Sequence, residues 1–264
     1  MIVIGEKLNS SIPSVFRAFD ARDEVAVREL IKRQLDGGAE YLDVNAAACM
    51  ECELDTLVWA AKQALAMGGK VMIDSPNADI VEKSLSVLDL RDTIINSVTL
   101  ESDRFSGVMA AVKKYNTRIV ALPIDDSGIP DTAESRTALS VELIEKIREL
   151  GVRDEDIFLD VLIQTLGTDS NCGKVVLDTI RNIRAKYPDI HIIGGLSNIS
   201  FGLPKRAILN GAFLSAAITC GLDSAIMDSA NPELLMSMRA ALLANGYDEY
   251  CMDYLDAYRA FYEE

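Results

Sequence analysis

The chain is poor in several groups on which enzyme chemistry often leans. It has one histidine, His191, among 264 residues. That histidine opens the apolar run His191-Ile192-Ile193, so no Ser-His-Asp triad is credible and a structural role is expected for the ring. Basic blocks are also missing. The net charge is −15, and none of the 26 Lys and Arg residues forms the cluster that phosphate neutralisation requires, which argues against nucleic acid. No apolar stretch approaches the roughly 20 residues that a membrane-spanning helix needs. The five cysteines (49, 52, 172, 220 and 251) are odd in number and scattered, and the N-terminus lacks a charged, apolar, small-residue signal pattern, so a reducing cytoplasm is the expected home. Cys49-Met50-Glu51-Cys52 has zinc-like spacing but no second Cys or His pair to complete four ligands. A loop with two free thiols is the expectation there.

What the chain does have is a regular alternation. Short apolar runs are separated by stretches of helical periodicity that stop at glycine, as Glu24 to Leu35 stops at Gly37-Gly38 and Leu54 to Met67 at Gly68-Gly69. Eight strands are predicted: Met1 to Glu6, Tyr41 to Asn45, Lys70 to Ser75, Thr93 to Ser97, Arg118 to Pro123, Ile157 to Ile163, the run from His191, and Ser224 to Asp228. Helices are read near 104–115, ending near Leu150, from Gly173 to Lys186, from Arg206 to Cys220 and from Pro232 to Ala244, followed by a helical tail. Continuously apolar strands with helices between them pair in parallel, and eight such units close into a single (β/α)8 TIM barrel over residues 1–264. An open doubly wound sheet is the rival architecture.

Barrel enzymes keep their active sites at the C-terminal ends of the strands. Those ends here carry Glu6, Asp43 with Asn45, Asp74, Asn96, Asp125, Asp160, Asn198 and Asp228, one acidic and amide-rich ring. Carboxylates and carboxamides suit a ligand with several N–H donors, such as a guanidine-like heterocycle. A hard cation would also want oxygen ligands, but these residues come from separate strands, so no bound metal is expected. Gly194-Gly195 is open to two readings, a phosphate cradle with Lys205 and Arg206 nearby, or room for a flat ring with Arg206 capping or pairing with an acidic helix. By its place at the start of its strand, His191 belongs at the opposite end of the barrel.

The strand ends resemble those of the methyltetrahydrofolate–corrinoid methyltransferases, which share a pterin-binding barrel with dihydropteroate synthase and with the folate module of cobalamin-dependent methionine synthase. The likeness lies in Ile4-Gly5-Glu6-Lys7-Leu8-Asn9, Leu42-Asp43-Val44-Asn45, Ile73-Asp74-Ser75, Ile95-Asn96-Ser97, Leu159-Asp160, Gly195-Leu196-Ser197-Asn198-Ile199-Ser200 and Gly221-Leu222-Asp223-Ser224-Ala225-Ile226. The resemblance implies tetrahydrofolate or 5-methyltetrahydrofolate as substrate, with Asp74, Asn96 and Asp160 on the pterin edge. It places Asn198 near N5 as the catalytic group, and Glu6, Asp43, Asn45, Gly195, Ser197, Arg206 and Ile226 in the remaining binding set. It further implies cobalamin on a separate corrinoid protein as partner, and a homodimer. The direction of methyl transfer stays open. The lysine that dihydropteroate synthases carry near strand seven is matched here by Leu196-Ser197-Asn198, and their Arg-x-His-Asp ending of strand eight by Ala225-Ile226-Met227-Asp228, which lowers that reading. A phosphosugar or aldol-type barrel using Lys7 or Lys205 competes with it, as does a non-catalytic folate-binding subunit.

Overall fold

The structure is a computed structural model describing residues 1–88, 90, 92–101 and 104–263, so the last residue of the expected 1–264 domain lies outside it. The strands are β1 (Ile2–Asn9), β2 (Tyr41–Asn45), β3 (Lys70–Asp74), β4 (Ile94–Val98), β5 (Arg118–Ala121), β6 (Ile157–Asp160), β7 (His191–Ile193) and β8 (Ser224–Met227). The helices are α1 (Pro13–Asp20), α2 (Glu24–Asp36), α3 (Glu53–Ala66), α4 (Ala78–Val87), α5 (Phe105–Tyr115), α6 (Ala133–Glu149), α7 (Cys172–Lys186), α8 (Arg206–Cys220), α9 (Pro232–Ala244) and α10 (Met252–Tyr262).

All pairings are parallel, in the order β7-β6-β5-β4-β3-β2-β1-β8. The remaining seam between β7 and β8 is drawn together by the Ile226 N–H donating to the Gly194 carbonyl at 3.1 Å and by a parallel bridge between Gly195 and Ile226. The expected barrel is therefore the fold, and the open sheet is not. Period-two alternation divides the strand residues. Val3, Leu42, Val44, Val71, Ile73, Ile95, Ile119, Leu159 and Ile192 face the helices in the larger core. Ile4, Tyr41, Met72, Ile94, Val120, Phe158 and Ile193 point inward and fill the barrel with a separate apolar layer, against which Ile2 and Ile226 pack.

Helix starts follow local chemistry. Asp23 caps α2 by accepting from the Ala26 N–H, Thr132 and Ser135 form a capping box on α6, and Asn231 caps α9 just before Pro232. Two helices stand where the sequence predicts none, α1 and α4. Both are short, and both begin beside a proline that on sequence marks only the end of a strand or a loop. Strand limits also shift. β1 continues past Glu6 to Asn9 through a register shift between Gly5 and Leu8, with the Lys7 N–H donating to Gln34 Oε1 at 2.8 Å. β6 stops at Asp160 instead of Ile163, because Leu162 turns into the left-handed region at φ 55°. Asp125 is no strand end either, since β5 closes at Ala121 and Asp125 lies in the following loop, bridged to Gly128. His191 does sit at the opposite end from the acidic ring, and Cys49 and Cys52 are free thiols on a short 3-10 turn, Ala47–Cys52.

Candidate active site at the barrel mouth

Above the apolar layer, the inward positions one turn of alternation higher are polar. On β2 to β4 they form two amide–acid pairs. Asn45 Nδ2 donates to Asp74 Oδ2 at 2.8 Å, and Asn96 Nδ2 donates to Asp43 Oδ1 at 3.4 Å. The Ala47 N–H at 3.1 Å occupies Asn45 Oδ1, which fixes that amide with its NH2 toward the carboxylate. Beside them, Ser75 Oγ donates to the buried Glu53 at 2.6 Å. Across the ring on β6, Asp160 Oδ1 accepts from the Leu162 N–H at 2.7 Å.

None of Asp43, Asp74 and Asp160 has a Lys or Arg ion pair among the described residues. Burial without a counter-ion therefore governs their titration. Burial pushes Asp160 up to about 6 against the opposing pull of the Leu162 N–H and the more distant charge of Arg136. Burial likewise raises Asp74 to about 6, opposed by the Asn45 hydrogen bond and the Arg104 charge. Asp43, 4% exposed, is held well above the usual carboxylate range, by burial first and then by the charge of Asp74.

The other side of the mouth, on β1, β7 and β8, is charge-paired. Lys7 Nζ lies 3.0 Å from Glu6 and 2.9 Å from Asp228, and Ser197 Oγ donates to Glu6 at 2.9 Å. Burial pulls the Lys7 ammonium down, yet the two carboxylates outweigh it and raise its pKa. A lysine held protonated in this way is a poor Schiff-base nucleophile, which weakens the aldol-type reading. Among the described residues, Arg206 neither caps nor pairs with an acidic helix. Its Nη2 donates to the Ser197 carbonyl at 2.6 Å and its Nε to Ser200 Oγ at 3.0 Å, securing the 3-10 turn Leu196–Ser200 that follows β7.

Asn198 projects from that turn, not from the strand itself, and is exposed. A Cβ placed on Gly195 would come within 3.1 Å of Asn198 Nδ2, so the carboxamide lies close over this glycine. Gly194 has a packing reason, since a Cβ there would meet the Ile163 side chain at 2.6 Å. Neither glycine is needed to explain a phosphate site. Ile226 belongs to the seam and the apolar layer beneath. The structure thus brings together two amide–acid pairs, Asn45 with Asp74 and Asn96 with Asp43, and links Glu6, Ser197 and Arg206 in a chain of contacts, while Asp160 and Asn198 stand on their own elements. Glu53 was missed because a glutamate opening a helix reads as a solvated first turn. Arg136, on α6, gave no sequence signal at all.

The family described as pterin binding enzyme matches residues 5–228. A methylcorrinoid:tetrahydrofolate methyltransferase of Eubacterium limosum is 34% identical over 262 residues, covering 98% of this chain and 96% of that protein. The methionine synthase of Mycobacterium tuberculosis is 32% identical over 248 residues, which span 87% of this chain but 20% of that protein. Among solved structures, the dihydropteroate synthase of Yersinia pestis aligns with a TM-score of 0.66 at 17% identity, covering 92% of both chains. That of Coxiella burnetii, in complex with pteroic acid, aligns at 0.68 and 14% identity, covering 94% of both. These last two are likenesses of fold.

Proposed function

The chain belongs to the pterin-binding enzyme family, and from that premise we propose that it is a methyltransferase moving a methyl group between N5 of tetrahydrofolate and the cobalt of a corrinoid on a partner protein. The observation that carries this reading is the half-ring of Asp43, Asp74 and Asp160 with Asn96, in which the three acids have no cation partner among the described residues and are met by amides and a backbone N–H. A pterin presents its 2-amino group and adjacent ring N–H as parallel donors, and an ionised carboxylate accepts both through charge-assisted bonds. Asp160 takes that pair with Oδ2 and with the acceptor position that the Leu162 N–H leaves on Oδ1, and Asp74 with Asn96 completes the edge. The apolar layer of Ile4, Met72, Ile94, Val120, Phe158 and Ile193 gives the flat ring a floor and leaves no room below it. A corrinoid can reach N5 only from above, where Met50 and Phe201 stand exposed, so it is supplied by a docking partner.

The corrinoid, when docked, supplies a cobalt able to give or take the methyl group. Among the residues of this chain, Asn198 is the catalytic one. Its carboxamide accepts from N5–H or donates to the bare nitrogen as charge changes there, and so stabilises N5 in either protonation state without acting as a base. Gly195 gives this group its space, and Arg206 with Ser197 and Ser200 fixes the turn that carries it. The full-length Eubacterium relative is named for transfer onto tetrahydrofolate, and that direction is the one assigned to this chain. N5 would form its bond to the methyl carbon with its lone pair, the electron pair of the broken carbon–cobalt bond would stay with the partner's corrinoid, and the N5 proton would pass to water. The cysteines are all free, in keeping with a cytoplasmic protein, and the working unit is taken as a homodimer, which light scattering of the purified protein checks. Tetrahydrofolate should bind saturably, and a methylated corrinoid protein should change its cobalamin spectrum only when both enzyme and tetrahydrofolate are present. Absence of both effects with folded wild-type protein would remove the proposal.

A further inference from the structure

Arg136 lies on α6, on the flank of the barrel where arginines usually reach into solvent, yet it is 1% exposed. Its guanidinium finds four acceptors, most of them in the segment that follows β6. Nη1 donates to the carbonyls of Val161 at 3.0 Å and Leu162 at 2.9 Å, and Nη2 donates to the Pro130 carbonyl at 3.0 Å and to Gln164 Oε1 at 3.2 Å. Nε has no partner among the described residues. Burying a guanidinium without a carboxylate in direct contact is costly, and an apolar side chain would fill the same volume more cheaply.

The acceptors show what the charge does. Val161 and Leu162 directly follow Asp160, and Leu162 is a non-glycine residue at φ 55°, a conformation that side chains other than glycine adopt only under strain. That left-handed turn brings the Leu162 N–H back to Asp160 Oδ1 at 2.7 Å. Two of the four bonds from Arg136 hold the two carbonyls of this same turn. We infer that Arg136 is a positioning residue for the pterin: it clamps the Asp160-Val161-Leu162 turn so that Asp160 keeps one oxygen on the Leu162 N–H and offers the other to the mouth. This rests on the pterin reading of the site. Charge supports the geometry. Arg136 and the Leu162 N–H are the groups that oppose the upward push of burial on Asp160, while Arg136 itself faces Asp160, Asp131 and Cys172.

The test is tetrahydrofolate affinity against pH for the wild type, Arg136→Met, Arg136→Lys and Leu162→Ile, together with the 13C-carboxyl titration of Asp160 in folate-free protein and circular dichroism for folding. Arg136→Met should weaken binding about tenfold at neutral pH and move the Asp160 midpoint upward by about half a pH unit or more, because the opposing charge is gone. Arg136→Lys keeps a charge and should leave the midpoint near wild type while affinity falls. Leu162→Ile conserves volume but places a β-branched residue at positive φ, so it should weaken binding at an unchanged fold. A folded Arg136→Met protein with wild-type affinity and midpoint overturns the clamp. If that variant does not fold, wild-type affinity in both Arg136→Lys and Leu162→Ile overturns it instead. Failure of the wild type to bind tetrahydrofolate would sink the functional reading, and the Asp160 carboxyl titration would still decide the clamp.

Discussion

Both ends of the barrel carry partly or fully buried acids, and they treat them in opposite ways. At the N-terminal end of the strands, Asp92 accepts from Tyr41 Oη at 2.7 Å and lies 2.6 Å from Lys70 and 2.9 Å from Arg118. Asp223 there holds His191 at 3.2 Å, Arg184 at 3.0 Å and the Ile192 N–H at 2.8 Å. Burial pushes both upward, but these partners outweigh it and both pKa values fall below the usual range. At the mouth, Asp43, Asp74 and Asp160 have amides and a backbone N–H in place of cations, burial wins, and their pKa values rise. The apolar layer lies between the two sets. The difference teaches where the molecule keeps stability and where it keeps binding capacity. An acid already satisfied by a cation has little left to offer a ligand, whereas an acid met only by weak partners gains most when donors arrive.

The sharpest way to break the comparison is Asp160→Asn. Isothermal titration should show tetrahydrofolate affinity falling by about 10²–10³-fold, since one charge-assisted pair is lost and an NH2 group faces pterin donors. The same variant should melt a few degrees higher without folate, because a carboxylate whose native pKa exceeds its unfolded one costs stability at neutral pH. A lower melting temperature would contradict the contrast. Next in size is Asn198→Ala, which single-turnover kinetics should show slowed by about 10²-fold with a smaller loss of binding, if its hydrogen bond strengthens in the transition state.

Acidity gives the third comparison. Binding needs ionised Asp160, so affinity should drop about tenfold per pH unit below about 6, and the Asp160→Asn protein should lose that slope. The sign reverses for folding at the floor. Asp92 and Asp223, with lowered native pKa values, contribute stability that is present above the unfolded value near 4 and lost as pH falls through the native one, whereas protonation of the mouth acids between about 6 and 4 favours the fold. The smallest expected effect is Asp223→Ala. It removes acceptors from the Ile192 N–H, Ser224 and Arg184, and calorimetry should show a loss of about 2 kcal/mol with folate binding unchanged.

The barrel was legible in the sequence because its signals are local. Continuous apolar strands and glycine stops identify each unit, and period-two alternation puts Asp43 and Asn45, Asp74, Asn96 and Asp160 on the inner face without any knowledge of the neighbours. What could not be read depends on distant partners. The amide-to-acid links of Asn45 with Asp74 and Asn96 with Asp43 are fixed only when β2, β3 and β4 lie side by side. Arg136 looks like one more charged residue of an amphipathic helix until α6 packs against the end of β6. Arg206 attracted the wrong expectations for a similar reason, since its acceptors are a carbonyl and a hydroxyl in the preceding turn and no anion is involved. The α4 stretch hid its helix because Ile80, Val81 and the serines weaken its intrinsic preference, and tertiary packing of Val81 and Leu85 decides the matter.

The seam between β7 and β8 has one more consequence, which concerns quality control. Gly195 meets Ile226 there, and three residues further on stands Asn198. The carboxamide proposed to do the work is thus hung on the last join of the ring to be completed in chain order, like a tongue that is seated only when the clasp is shut. A barrel left open at that join would keep most of its acids in place and still have no firm support for Asn198, so turnover would report on complete closure more strictly than folate binding does.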